Sequence, residues 1–435
     1  MFFVYAVIGA LSASLLACIP ALHIYNVVGL LLLLGAGASA LVGPEELSAL
    51  MIGLITGYAM LNTLPGIFLS APDESAIFVV LPGQKYLLQR RGWEATLLTG
   101  VGGLGGVAVL VLLTPVASTL FSTLRAILQP HLHWILLAVI LFMLMSEWPK
   151  GSDRAATSWG KLAEAWTSLT AGLVTFFLSG LLGFILMYRS LVPVDVAYQN
   201  LLPAFVGLFA IPWVLQNILS RTQIPPQHIA ASVDADLPLF LRGIFAGAIG
   251  GLFAAFFPVV TGGIGGFIAG HATAQRDDRL FLISQGASKV VYYVGGFMFF
   301  FVPGLHLTRG GMAWMLSGLY TPFTPDTFYR AVAAVVVSGV VAFFMLLLLT
   351  RLVIRLVERV DYRWISVATL AVLLVIVALM TGLGGLLVAA VATGIGLIPV
   401  LWGSRRMNCM GVLLLPITLN MLSVGGAVAG WLGLV

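Results

Sequence analysis

Long apolar stretches without a single Asp, Glu, Lys or Arg set the pattern of this chain: residues 1–44, 47–72, 95–124, 243–275 and 364–404. Each exceeds the roughly 20 apolar residues that cross a bilayer as a helix. None shows the short alternating segments of a transmembrane β-strand. Split where Pro, Gly and charges cluster, the pattern predicts about 11–13 membrane segments, counting re-entrant pieces. They fall at about 2–20, 22–40, 47–69, 94–115, 130–147, 166–188, 199–220, 241–269, 280–302, 329–351, 364–381, 383–402 and 408–432.

Composition narrows the class. Of 435 residues, 60% are apolar and 9% charged, with a mean hydropathy of +1.08, against about a quarter charged in soluble domains. Such hydrophobicity excludes disorder. Cys18 and Cys409 both lie in apolar stretches, which leaves no disulfide framework and no cysteine-rich metal site. The formal charge of +5 comes from Arg and Lys standing singly between apolar runs; these are loop charges that hold orientation, not a nucleic-acid surface. Residues 1–17 carry no basic n-region, so the first segment is expected to stay as a membrane helix. Only 146–164, with Glu147, Lys150, Asp153, Arg154, Lys161 and Glu164, reads as an extended aqueous loop.

An internal repeat is expected, the alternative being that Gly- and Ala-rich membrane helices look alike because small residues mediate helix packing everywhere. Gly9-Ala10-Leu11, Ala17 and Pro20 overlie Gly247-Ala248-Ile249, Ala255 and Pro258 at one offset, 258 − 20 = 238. In both copies a small-residue helix runs into a proline and then polar or Gly-rich chain. A second echo sets Thr99-Gly100-Val101 against Gln285-Gly286-Ala287 at offset 286 − 100 = 186. Matched helix breaks at Pro20 and Pro258 are the sequence signature of a carrier built from two repeats, because broken backbone at membrane depth must line a cavity or be buried in protein. The repeats are assigned to 1–222, with a longer insertion and the polar loop, and to 223–435, as one integral membrane unit. If they are inverted, the Lys85-Arg90-Arg91 loop and its counterpart around Arg276 and Arg279 face opposite compartments. Charge bias alone places both inside.

On these residues the chain resembles the TctA family, the membrane subunit of tripartite tricarboxylate transporters, and especially its single-component archaeal-type branch. Pro20-Ala-Leu-His23-Ile-Tyr-Asn26 looks like that branch's first motif. Ala71-Pro72-Asp73-Glu74-Ser75 with Leu81-Pro82-Gly83 and Arg91-Gly92-Trp93 is similar to its second. Bacterial members carry Gly after the motif prolines where this chain has Ala21 and Val259. Thr261-Gly262-Gly263 is also similar to the Ser-Gly-Gly signature of the polyprenyl-phosphate translocases of the DUF368 group. The resemblance implies an integral protein of the prokaryotic inner membrane that carries small carboxylates, or, in the second case, a lipid phosphate.

Candidate chemistry follows the breaks. Asp73, Glu74 and Ser75, after Pro72, interrupt a segment otherwise suited to the membrane. A carboxylate at bilayer depth points to proton or cation coupling; a carboxylate at the water boundary would simply cap a helix. His23 and Asn26 share a face if a helix resumes after Pro20, and half-helix N-termini favour anions. Thr261, Gly262 and Gly263 offer a hydroxyl and bare backbone in the other half. Lys289 either pairs with the anion, or with Asp73 or Glu74 when the site is empty, or snorkels to an interface. No metal site is expected, since His271 with Gln275 and Asp277 is a poor ligand set. Gly102-Gly103-Leu104-Gly105-Gly106 lacks the strand and Lys-Ser/Thr of a phosphate loop. Arg351, Arg355, Arg359 and Arg363 form a cationic stripe.

The reading is an all-α polytopic membrane protein of two inverted-topology repeats with broken or re-entrant helices. It moves an anionic substrate, a small carboxylate, by alternating access driven by an ion gradient. No cofactor is expected; H+ or Na+ is the coupling ion. The alternative is a polyprenyl-phosphate carrier. A membrane-embedded enzyme using His23 or Asp73 as acid or base is the rival class, although the chain carries no Gly-x-Ser-x-Gly elbow and no His-Glu-x-x-His pair. Membrane lipids are expected partners and nucleic acid is not. A homodimer and a soluble binding protein are left open.

Overall fold

The computed structural model describes residues 1–20, 22–35, 43–148, 155–192, 200–220, 223–230, 233–322 and 324–435. Ala21 of the first motif, and Lys150, Asp153 and Arg154 of the polar loop, lie outside them. Every regular element among the described residues is helical. Among the described residues, seven helices are long and apolar enough to cross a membrane, Pro44–Phe68, Gly92–Met145, Ser158–Tyr188, Leu202–Ser220, Leu237–Phe256, Pro325–Arg359 and Tyr362–Trp402. The protein is an integral membrane protein.

The difference from the expected 11–13 segments has a physical reason: several are half-length or bent. Phe2–Leu16 has 15 residues, about 22 Å at 1.5 Å per residue, short of the roughly 30 Å hydrocarbon core. Tyr362–Trp402 has 41 residues but is broken at Gly382, whose φ of 67° and ψ of −160° are not helical. The break falls where the expected spans 364–381 and 383–402 meet. The expected last span, 408–432, is instead a pair of helices, Arg406–Met421 and Gly425–Trp431, bent by 112°.

The chain folds as two compact units. One comprises Met1–Arg125 and Ser220–Ser366; the other comprises Ala126–Leu219 and Val367–Val435. The eight principal helices of the first unit are α1 (Phe2–Leu16), α2 (Ile24–Gly35), α3 (Pro44–Leu61), α4 (Gly92–Leu113), α5 (Leu237–Phe256), α6 (Gly262–Ala272), α7 (Asp278–Val290) and α8 (Pro325–Arg359). Small residues let their backbones touch. A Cβ added at Gly53 of α3 would stand 1.9 Å from the Ala6 carbonyl of α1, and one at Gly247 of α5 would stand 2.2 Å from the Ser284 carbonyl of α7. Contacts climb in step along both pairs: Gly53 lies on Ala6 and Gly57 on Ala10, while Gly243 lies on Leu280, Gly247 on Ser284 and Gly251 on Ser288. Each pair is therefore parallel. By the same logic α4 and α7 are parallel, with Gly102 on Ile283, Gly106 on Ala287 and Leu110 on Gly295. α4 and α8 are antiparallel, with Gly100 on Leu346 and Val107 on Gly339.

These directions correct two expectations. Thr99-Gly100-Val101 and Gln285-Gly286-Ala287 are packing neighbours, since a Cβ at Gly286 would meet the Thr99 carbonyl at 2.0 Å. Parallel neighbours are not mates under a two-fold axis in the membrane plane, which reverses direction; the second echo reflects shared close packing. Lys85 forms an ion pair with Asp278, so the Lys85-Arg90-Arg91 loop and the Arg276–Arg279 segment sit at the same end of the unit, as charge bias alone gives.

Both expected breaks are present. α1 ends at Leu16, and a turn through Pro20 leads to α2 at Ile24. α5 ends at Phe256, and Pro258 and Val259 lead to α6, capped by Thr261. Val259 has φ 55°, a left-handed conformation that is a genuine outlier for a β-branched residue.

Candidate substrate and ion site

The turn after Pro72 carries the centre of the site. Asp73 Oδ1 accepts from the Ser75 N–H at 3.1 Å, the Ala76 N–H at 2.8 Å and the Ser75 hydroxyl at 2.8 Å, which closes the turn. Asp73 Oδ2 accepts from Tyr58 Oη at 2.7 Å, Asn62 Nδ2 at 2.9 Å and Tyr293 Oη at 3.1 Å. The carboxylate thus closes a turn with one oxygen and holds three side chains with the other. It does so buried, at 9% exposure.

Tyr58 and Asn62 stand four apart at the end of α3, one above the other on one face. Tyr293 belongs to the π-helical turn Val291–Gly295 that continues α7. Such turns recur at functional sites. Lys289, one turn earlier, is 1% exposed and donates from Nζ to Asn62 Oδ1 at 2.5 Å. The Asn62 amide is therefore spent from both ends, accepting from the ammonium and donating to the carboxylate.

His23 closes the cluster from the break after α1. Its Nδ1 accepts the Tyr25 N–H at 3.2 Å, so in the neutral ring the proton sits on Nε2. That atom lies 3.2 Å from Glu74 Oε1 and 3.1 Å from Tyr293 Oη. The rings of Tyr25, Tyr58 and Tyr293 lie 4.5, 5.4 and 5.8 Å from the imidazole, centre to centre. The second break meets the same turn: Thr261 Oγ1 donates to the Glu74 carbonyl at 3.4 Å, and a Cβ on Gly263 would stand 3.1 Å from the carbonyls of Glu74 and Ser75. Gly262 lies against the Tyr292 ring, and its carbonyl accepts from the Ser288 hydroxyl at 2.9 Å.

The structure brings His23, Asp73, Glu74, Ser75, Thr261, Gly263 and Lys289 into one buried network, with Gly262 at its edge. Pro20, Pro72 and Pro258 sit in the turns that deliver them. Asn26 stands in the first turn of α2 and is outside the described side-chain bonds of the network. Sequence reasoning missed Tyr58, Asn62 and Tyr293, which hold Asp73, and Arg309, whose Nε donates to the Ala255 carbonyl in the last turn of α5. Asn62, a polar residue inside a charge-free run, was the signal available.

Chemically, Asp73 and Glu74 face Lys289 and His23 in an environment of tyrosines. With neutral imidazole the four groups sum to −1; one proton on His23 brings them to zero. Donor atoms of His23, Asp73 and Glu74 also lie within 4.8 Å of one another, close enough to share a cation.

Comparison with known proteins agrees with the architecture. An uncharacterized protein of Methanocaldococcus jannaschii, MJ1079, is 25% identical over 430 residues, covering 96% of this chain and 98% of its own length. No solved structure matches. The model of the tripartite tricarboxylate transporter TctA family, a family of membrane transporters, matches residues 3–411. With nearly the whole chain matched by that model, the protein belongs to the TctA family.

Proposed function

We propose that this protein is a secondary carrier for a small carboxylate anion, coupled to H+ or Na+, with the Asp73–Glu74 turn as the coupling element. The observation that carries this reading is the internal charge pairing of a buried site where two helix breaks meet. An incoming carboxylate competes with Glu74 for His23 and with the Asn62–Asp73 relay for Lys289. A carboxylate so released is costly to leave bare in an apolar surround. It takes up a proton or a sodium ion, and that uptake links the two fluxes. His23 and Lys289, with the N-terminus of α6 at Gly262 and Gly263, are the anion-binding groups.

Helix directions support two inverted repeats as the basis of alternating access. The offset of 238 matches α1 to α5, and in sequence order α2, α3 and α4 then match α6, α7 and α8. Under that matching the parallel pair α1–α3 answers α5–α7, and α4 and α8 run antiparallel, as inversion demands. The inverted counterpart of the 89–91 loop is then the segment just before α8, and that of 273–277 is the segment just before α3.

The test is uptake into proteoliposomes of labelled di- and tricarboxylates under imposed pH or sodium gradients, with polyprenyl phosphate as competitor. Concentrative carboxylate uptake under one gradient supports the reading. Exclusive inhibition and transport by the lipid phosphate assigns the site to a lipid carrier instead.

A further inference from the structure

The second unit holds a buried cation that the proposed transport site does not use. Arg406 opens the helical stretch Arg406–Met421 and is 8% exposed. Its guanidinium carbon lies 3.6 Å from the centre of the Trp213 ring. Nη1 makes one long contact, 3.4 Å, to the Phe209 carbonyl in the π-helical turn Val206–Ala210. Nη2 is buried and has no hydrogen-bond partner, and no described carboxylate reaches the group. Glu147 is engaged by the neighbouring residues: its Oε1 accepts from the Arg405 N–H at 2.7 Å and from Asn408 Nδ2 at 3.0 Å.

Buried charges are held by counter-charges or by full hydrogen bonding, and a stacked indole with one long carbonyl contact provides neither. Unfilled polar atoms also occur on the stacked tryptophan and on the chain just before the arginine. Trp213 Nε1, an obligate donor, and the Ser404 hydroxyl, two residues before Arg406, are also buried without partners. A guanidinium edge left without a partner matches an oxyanion, which accepts only and which a planar fork grips in two places.

We infer that Arg406, stacked on Trp213, forms an oxyanion-binding site in the second unit, separate from the His23–Asp73 network, for a carboxylate or a phosphate. The oxyanion belongs either to a free solute or to a lipid headgroup, and the experiment separates them. Thermal unfolding of the full-length protein is followed against citrate and inorganic phosphate in neutral detergent, and in nanodiscs of phosphatidylglycerol against phosphatidylcholine, for wild type, Arg406→Gln and Arg406→Lys. For a free anion, wild type is stabilised by citrate or phosphate, and Arg406→Gln shifts the half-effective concentration upward by about tenfold or more. For a headgroup, the stabilisation appears only in phosphatidylglycerol and is lost in Arg406→Gln. Arg406→Lys retains charge without the fork and falls between, so it carries the comparison if the glutamine variant does not fold. Equal stabilisation of wild type and both variants by every anion overturns the assignment.

Discussion

Lys289 reaches Asp73 only through Asn62: the ammonium donates to the amide oxygen at 2.5 Å, and the amide nitrogen donates to the carboxylate at 2.9 Å. A neutral side chain thus stands between two buried opposite charges. The amide holds both charges without bringing them into direct hydrogen-bonded contact.

Replacing this bridge is expected to be expensive. Asn62→Ala takes away the side-chain acceptor of the Lys289 ammonium and one of the three donors to Asp73 Oδ2, leaving Tyr58 and Tyr293 on that oxygen, and removing a bond to a buried charged group costs about 1.5–3 kcal/mol. Thermal unfolding of the detergent-solubilised variant should show a clear drop in midpoint, larger than that of Arg359→Ala on the exposed cationic stripe, which should change little.

The anion-binding groups give a separate expectation. His23→Ala removes a donor, and Gly262→Leu pushes a side chain into Tyr292, the ring that a Cβ at this position would already meet at 3.1 Å. Each should weaken carboxylate binding about ten- to a hundredfold with expression retained. Equilibrium binding of labelled substrate checks this; wild-type affinity in both would place the anion elsewhere.

Backbone strain at the second break predicts a stabilising change. Val259 sits at φ 55°, where glycine carries no Cβ penalty. Strain of this kind costs about 1–3 kcal/mol, so Val259→Gly should stabilise the protein by about 1 kcal/mol after its lost side-chain burial. Unfolding midpoints of the two proteins decide the sign.

Orientation can be read with single cysteines in a Cys18→Ser, Cys409→Ser background. Gln89→Cys and Ala274→Cys should be labelled from the same side, since Lys85 and Asp278 are ion-paired. Thr321→Cys, just before α8, should be labelled from the opposite side if the repeats are inverted. Labelling of all three from one side would remove the inversion.

Much of this site was legible in the sequence because charge is conspicuous in an apolar chain. Asp73, Glu74 and Lys289 stood out as interruptions, and Pro20 and Pro258 marked the breaks that bring His23 and Thr261 to them. Tyr58 and Tyr293 did not stand out, because tyrosine passes as an apolar residue in a membrane pattern and only the fold turns its hydroxyl toward Asp73. Asn26 looked equivalent to His23 by spacing, but spacing alone does not say which of two residues near a helix start faces the partner turn. The Thr99 and Gln285 echo misled for a different reason: helices that touch through glycine share a composition whether or not they share ancestry.

The coupling role of the Asp73–Glu74 turn is tested most directly by comparing two assays on Asp73→Asn in proteoliposomes, substrate counterflow without a gradient and accumulation driven by a pH or sodium gradient. Asparagine keeps much of the hydrogen bonding around position 73 but takes up no cation. The expected result is counterflow near the wild-type rate with gradient-driven accumulation abolished. Accumulation at the wild-type level would contradict the account.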